Sequence, residues 1–478
     1  MNVIGITIGN RDIKIEDKYI YNIKKDDNIF PEDFEDLSPR KTGKYILDNY
    51  KKFKDNITLP IINPFLEAIR RKNIKVSRII LFATDQPESI ESKWRNKDTI
   101  YFAQFIKYKL KGMKICSDED IKIIKIGNEV NYLDSVYKQF TKEFKNNPAL
   151  NDLGEDTNFF ILPVGGIPAI ISALLFNSIL YFRNNVKHYN VDENGNVIPI
   201  SFNNIFLKEL EKNSLLDSLK NFFYASIRDK TSNEYIRTLA DYAYNRLTFN
   251  FDRAYDVLEK ISSEPNNRYK VSELRKSIDE LYKDKNKRLI EIFHTAIIKI
   301  KQEQYVDALL RLYNFTDNFM SDKVFELLNL NKEKKAYEDY WKFEICKTFK
   351  KDEKFEKFII NYNEIPNFDY KKQGLPTYMA ILKYFHNENK IDEKFIKVCK
   401  CLIKISDLRN KSIGAHGFQG ISKEKINDIL KSEKTNIDDL LKEIEQFLNA
   451  PFQESVYFKI KEYILKEMNE YSSKKISN

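Results

Sequence analysis

The 478-residue chain predicts an N-terminal α/β domain built on a mostly parallel sheet, followed by a C-terminal region that is helical throughout. Three observations carry that expectation. Short apolar runs alternate with helical patterns in the first part of the chain. Those runs are nearly continuous instead of alternating with polar residues, as in strands buried on both faces. Beyond about residue 205 the apolar spacing turns to the helical period and keeps it.

In chain order, the runs VIGITIG (from Val3), RIILFATD (from Arg78), IKIIKIG (from Ile121) and FFILPVG (from Phe159) read as strands. A helix is expected from about Pro64 to Lys72. The segment HYNVDENGNVIPIS predicts a hairpin, with Asn194 and Gly195 supplying two positive-φ positions for a tight turn. The first domain is expected to close near residue 205. A helical linker region is then expected over 206–300 and a last helical domain over 301–478, the softer boundary marked by the Lys-rich patch KDKNKR. Helical stripes in the second half run through Phe251, Ala254, Tyr255, Leu258 and Ile261, and through Tyr305, Ala308, Leu309, Leu312, Phe315 and Phe319. Two more pass through Phe395, Val398, Cys399, Leu402 and Ile405, and through Ile437, Leu440, Leu441, Ile444, Phe447 and Leu448. No internal repeat is visible.

Composition narrows the function classes. Hydrophobic residues at 42% and charged residues at 32% describe a globular chain long enough for two or three cores. A net charge of +9 permits phosphate-bearing ligands without the basic excess of a nucleic-acid coat protein. Four cysteines without paired spacing fit a reducing cytoplasm and no disulfide framework, and no His/Cys/Asp cluster has metal-ligand spacing. Cys399 and Cys401 read as small buried hydrophobes. The start MNVIGITIGNRD does not read as a secretion signal. Asn158 to Phe182 carries no charge and is long enough to span a bilayer. Pro163, Gly165, Gly166 and Pro168 divide it into a strand, a turn and a packed helix.

Two groups of residues can carry chemistry. Arg409 and His416 lie in SDLRNKSIGAHGF, directly after an apolar helical stripe. If the helix continued, seven residues would put both side chains on one face, about 10 Å apart along the axis. An arginine holding a phosphate beside a histidine that exchanges a proton near neutrality is a minimal apparatus for phosphodiester cleavage. The bland alternative is that Gly414 and Gly417 end the helix and the two side chains are solvated caps. His188, His294 and His386 have no catalytic partner nearby and read as structural or surface residues. The second group stands at strand ends, where open parallel sheets bind ligands. It comprises Gly9, Asn10 and Arg11; Thr84, Asp85 and Gln86; and Gly165, Gly166, Ile167 and Pro168 in the turn PVGGIPAI, where backbone N–H groups and a helix start favour phosphate. No G-x-G-x-x-G and no P-loop lysine motif is present.

Together these segments resemble the CARF–HEPN ribonucleases that accompany type III CRISPR systems. The order of parts agrees along essentially the whole chain. GNRD and GGIPAI stand where that family's Rossmann-like sensor places its strand-end segments. Arg409, followed by Asn410 and separated from His416 by six intervening residues, matches the HEPN motif. The His spacing is at the long end of the family's range, and Ile167 replaces a frequent threonine. The resemblance implies a homodimer switched on by cyclic oligoadenylate and cleaving single-stranded RNA without a metal, leaving a 2′,3′-cyclic phosphate. It further implies a sensor that in some members degrades its own activator. Arg409, Asn410 and His416 would be catalytic, and the strand-end residues would bind the ring. Two alternatives remain open at the level of sequence: a non-catalytic nucleotide-sensing regulator, and a stand-alone HEPN toxin with another nucleotide activator.

Overall fold

In the computed structural model the described residues are 1–473, apart from 28, 33, 35, 128, 155, 262–267, 332, 334–337, 363–367 and 413–416. They divide into two units, Met1–Leu210 and Glu211–Asn478.

The first unit is built on a six-stranded sheet. Its strands are β1 (Asn2–Thr7), β5 (Arg78–Thr84), β6 (Ile121–Ile126), β7 (Asn158–Leu162), β8 (Val186–Val191) and β9 (Val197–Ile200), in the order β6-β5-β1-β7-β8-β9. Every pairing is parallel except β8 with β9. Side chains leave a strand on alternate faces, and here both faces are covered. Ile4, Ile6, Ile79 and Leu81 join one buried cluster, which includes Phe65 and Phe102 from the helices α2 (Ile62–Arg71) and α4 (Ile100–Gly112). Val3, Ile80, Phe82 and Phe159 join the other, with Phe140 and Ile170 from α5 (Leu133–Asn146) and α6 (Pro168–Phe182). This is why the strand sequences read as unbroken apolar runs. Helix α3 (Ser92–Arg95) follows β5 in sequence, and α1 (Pro39–Asp48) brings Arg40 to Asp85, the residue after the C-terminal end of β5.

A second sheet escaped sequence reading. It joins β2 (Lys14–Ile15), β3 (Lys18–Tyr19) and β4 (Ile57–Thr58), strands of two residues each, too short to show a period. The hairpin stands where it was expected, but its turn differs. Only Gly195 of the Asn-Gly pair takes positive φ, at +80°, and the Asp192 carboxylate accepts N–H bonds from Asn194 and Asn196 at 2.9 and 2.8 Å, making a wider loop. No helix among the described residues is long and apolar enough to cross a membrane. The uncharged stretch folds as β7, a turn and α6.

The second unit is helical. The helices that bear on function are α7 (Glu234–Leu247), α8 (Arg268–Lys283), α9 (Lys285–Lys301), α10 (Tyr305–Leu327), α11 (Glu393–Lys411), α12 (Ile437–Leu448) and α13 (Val456–Ser473). Cys399 and Cys401 are buried in α11. One cluster of buried side chains runs from Leu215 to Met468, so the softer boundary near residue 300 is not a break in the core. A polar network crosses that boundary. Arg246 of α7 donates Nε and a terminal nitrogen to the two oxygens of Glu291 of α9, at 2.8 and 3.0 Å, and its other nitrogen to Tyr242 and to Ser277 of α8. Tyr457 of α13 donates to Glu291 at 2.7 Å. Burial alone would raise the Glu291 carboxyl, but the guanidinium against it holds it below its ordinary value.

Candidate ligand pocket and nuclease site

At the C-terminal ends of β1, β5 and β7 a cavity of about 680 Å³ opens in the first unit. Gly9, Asn10, Arg11, Thr84, Gln86, Gly165, Gly166 and Ile167 line it, so three separately predicted segments converge. The glycines let two loops of the protein pack against each other. A Cβ on Gly9 would stand 2.2 Å from the Gly166 nitrogen, and one on Gly165 would stand 2.1 Å from the Asp12 carboxylate and 2.5 Å from the Thr7 carbonyl. The two loops touch backbone to backbone, and only glycine leaves room. Gly166, at φ +101°, also needs the freedom of a residue without a side chain.

Asp12, which sequence reading passed over, fastens this contact. It is fully buried, and its Oδ2 accepts the Gly9 N–H at 2.6 Å. Burial pushes its carboxyl up to about 7, against the lowering effect of that bond. The Gly9 N–H is therefore engaged by the protein.

The β5 end is similarly tied down. Thr84 and Thr99 exchange bonds through N–H and hydroxyl, at 3.2 and 2.9 Å. Gln86 donates its backbone N–H and its amide to the two oxygens of Asp98, at 2.9 and 3.0 Å. Arg40 of α1 bridges Asp98 at 2.8 Å and Asp85 at 3.1 Å. Two expected contacts do not reach the cavity. Asp85 turns to Arg40 and to Lys125 at 2.9 Å, and Pro168 opens α6 without lining the pocket. Tyr21, Trp94, Lys97, Asp98, Thr99 and Asn131 line it without having been singled out, since none belongs to a strand-end glycine turn.

The electrostatics of the lining are one-sided. Its cations are Arg11 and Lys97, both exposed and without a carboxylate partner among the described residues. Its one acid, Asp98, is buried and already bound by Arg40 and Gln86. Such a rim attracts an anion.

In the second unit Arg409 occupies the last turn of α11, with its guanidinium 4.3 Å from the Tyr313 ring of α10. One terminal nitrogen donates to Asn410 at 3.2 Å, and Nε is buried without a partner among the described residues. The helix ends at Lys411, where Ser412 turns to extended backbone. The continuous helix that would have carried Arg409 and His416 on one face is thus corrected. His416 itself lies outside the described residues, as does Gly414. The chain returns at Gly417, whose N–H donates to the Ser412 carbonyl at 3.1 Å, and where a Cβ would stand 2.0 Å from the Lys411 carbonyl.

The other histidines are in structural settings. His188 is buried in β8, bonded through Nε2 to Ser178 at 3.0 Å and pushed down to about 4 by burial. His294 donates Nε2–H to the Ala450 carbonyl at 3.1 Å, and His386 donates Nδ1–H to that of Ile391 at 2.9 Å. Among the described residues no group of three or more His, Cys, Asp or Glu side chains is placed to hold a metal ion.

Comparison with known proteins adds two findings. Residues 275–471 match the family model described as the Cas_Csm6 HEPN domain, a span that contains Arg409 and His416. The whole fold is similar to that of Enterococcus italicus Csm6 bound to cyclic hexa-2'-fluoro-hexa-dAMP. The TM-score is 0.54 at 12% identity, over 98% of this chain and 100% of that one. No curated relative matches in sequence. Both findings agree with the resemblance drawn from the residues.

Proposed function

With a Csm6-type HEPN domain in residues 275–471 and a parallel-sheet domain ahead of it as premise, we propose that the chain is a CRISPR-associated endoribonuclease activated by cyclic oligoadenylate. The observation that carries the catalytic half is Arg409. Inside the matched segment, its guanidinium is held over the Tyr313 ring while its buried Nε keeps an unused donor. A half-buried guanidinium with unused donors suits a phosphate whose charge grows in the transition state. The sensing half is supported by the cavity at the strand ends, where Arg11 and Lys97 have no carboxylate partner among the described residues and Asp98 is bound by Arg40.

In this reading the protein acts as a homodimer on single-stranded RNA, whose unpaired backbone can bring the 2′-hydroxyl in line with the adjacent phosphorus. That hydroxyl attacks phosphorus, and its proton passes to His416. Arg409 and Asn410 hold the phosphoryl oxygens, and as the P–O5′ bond breaks the 5′-oxygen takes the proton from the His416 imidazolium. The products are a 2′,3′-cyclic phosphate and a 5′-hydroxyl, and no metal takes part. Asn10 lines the sensor cavity with its Oδ1 buried and unpartnered, which supports a second role in cutting the bound ring.

The test is cleavage of a fluorescent single-stranded RNA in EDTA, with and without cyclic tetra- and hexa-adenylate, for the wild type, His416→Ala and Arg409→Ala. Ring-dependent cleavage is expected, lowered at least about a hundred-fold in either variant, the lower end of what a positioned acid–base group contributes. Silence with every ring would leave a non-catalytic sensor, and cleavage that survives both variants would place the nuclease site elsewhere. Ring incubated with the double variant should still be degraded if Asn10 acts.

A further inference from the structure

Two aromatic side chains line the proposed sensor cavity while remaining largely exposed. Trp94, from α3, is 40% exposed, and Tyr21, from the segment after β3, is 52% exposed; both line the same cavity as Arg11 and Lys97. The chain has only two tryptophans, and the other, Trp341, is 1% exposed in the helical core, where its indole N–H donates to the Tyr370 carbonyl. The Trp94 ring is not left to swing freely. Lys97 stands 4.7 Å from it, and Lys93, bridged to Glu91 at 2.6 Å, stands 5.5 Å from it, so the Lys97 ammonium is the charge presented beside the ring. Tyr21 is braced on one face by Tyr19, with centroids 5.4 Å apart and planes 17° from parallel. A flat apolar ring next to an unpaired cation is the pairing that a nucleotide presents in reverse, a flat base joined to a phosphate.

We infer that Trp94 and Tyr21 are the base-stacking platforms of the sensor, each taking an adenine face of the bound oligonucleotide while Lys97 and Arg11 meet the phosphates. The inference rests on the reading of this pocket as a nucleotide sensor and assigns which residues recognise the bases. Stacking prefers the larger ring system, so the site favours purines over pyrimidines without reading base edges.

With Trp341 buried in the helical unit as a constant background, a ligand-induced change in emission reports on Trp94. Titration with cyclic tetra- or hexa-adenylate should change that emission, and the change should vanish in Trp94→Phe. Calorimetry should show ring affinity weakened about ten-fold or more in Trp94→Ala, with most of it restored in Trp94→Phe, as expected for one stacked base. Tyr21→Ala should weaken binding and Tyr21→Phe should not. Inorganic pyrophosphate, a phosphate without a base, should bind equally to wild type and Trp94→Ala. Ring binding of unchanged affinity in Trp94→Ala and Tyr21→Ala overturns the inference while leaving the sensor reading intact. Absence of any ring binding to the wild type overturns both.

Discussion

Asp12 shows how one buried carboxyl couples the pocket to pH. Its value is raised from an ordinary 3.8 to about 7, so between those limits the folded chain holds a proton that the unfolded chain has released. Stability from this group is complete below about 3.8 and is lost as pH rises through about 7. Asp12→Asn keeps an oxygen for the Gly9 N–H and removes the charge. Thermal melts from pH 4 to 8 should therefore show the wild type falling behind the variant, by an amount that grows to a few kcal/mol at most. A pH-independent difference would mean that the carboxylate is never exposed to this penalty. His188, held near 4, works in the opposite direction, losing stability as pH falls below its ordinary 6.5, and it cancels in the comparison because both proteins carry it. Sequence reading reached Gly9 and Gly165, which line the cavity, because glycine turns at strand ends are a local pattern. It missed Asp12, Trp94 and Lys97 because burial and convergence on a cavity are set by the folded chain alone, and nothing around ESKWRNKD has a strand-end signature.

At the scale of elements, local pattern sufficed wherever an element is long enough to show a period. The parallel strands and the long helices α10, α11 and α12 follow their stripes. The two-residue strands β2, β3 and β4 had no period to show, and α11 stops at Lys411, two residues after Arg409, where the Ser412 hydroxyl donates to the Arg409 carbonyl at 2.8 Å. Contacts between distant elements were equally hidden: Arg246 and Glu291 stand 45 residues apart. That pair makes a sharp prediction, because breaking a buried pair strands a charge. Arg246→Met should destabilise the helical unit by about 3–5 kcal/mol in denaturant unfolding, with Glu291→Leu comparable. The double variant should be less destabilised than the sum of the two. Additive losses would show that the guanidinium acts through Tyr242 and Ser277 and not through the carboxylate.

At the scale of the whole molecule, the chain has two units, but the HEPN match starts at residue 275, well inside the second. The core that begins at Leu215 includes residues on both sides of that start, and Arg246 lies before it. A fragment of residues 211–478 keeps its whole core and should give a cooperative thermal transition. A fragment beginning at residue 275 exposes that core and leaves Glu291 without its cation, so it should melt without a transition and be cut rapidly by protease. Equal behaviour of the two would mean that helix α7 is an accessory. For the ancestry of such proteins, the buried pair sets where a gene can be broken and rejoined. A crossover between the codons for Leu247 and Arg275 would separate Glu291 from the cation that offsets its buried charge. The unit that folds is therefore longer than the segment defined by sequence likeness, and a recombined gene that keeps this core whole carries the helices from Glu211 onward along with that segment.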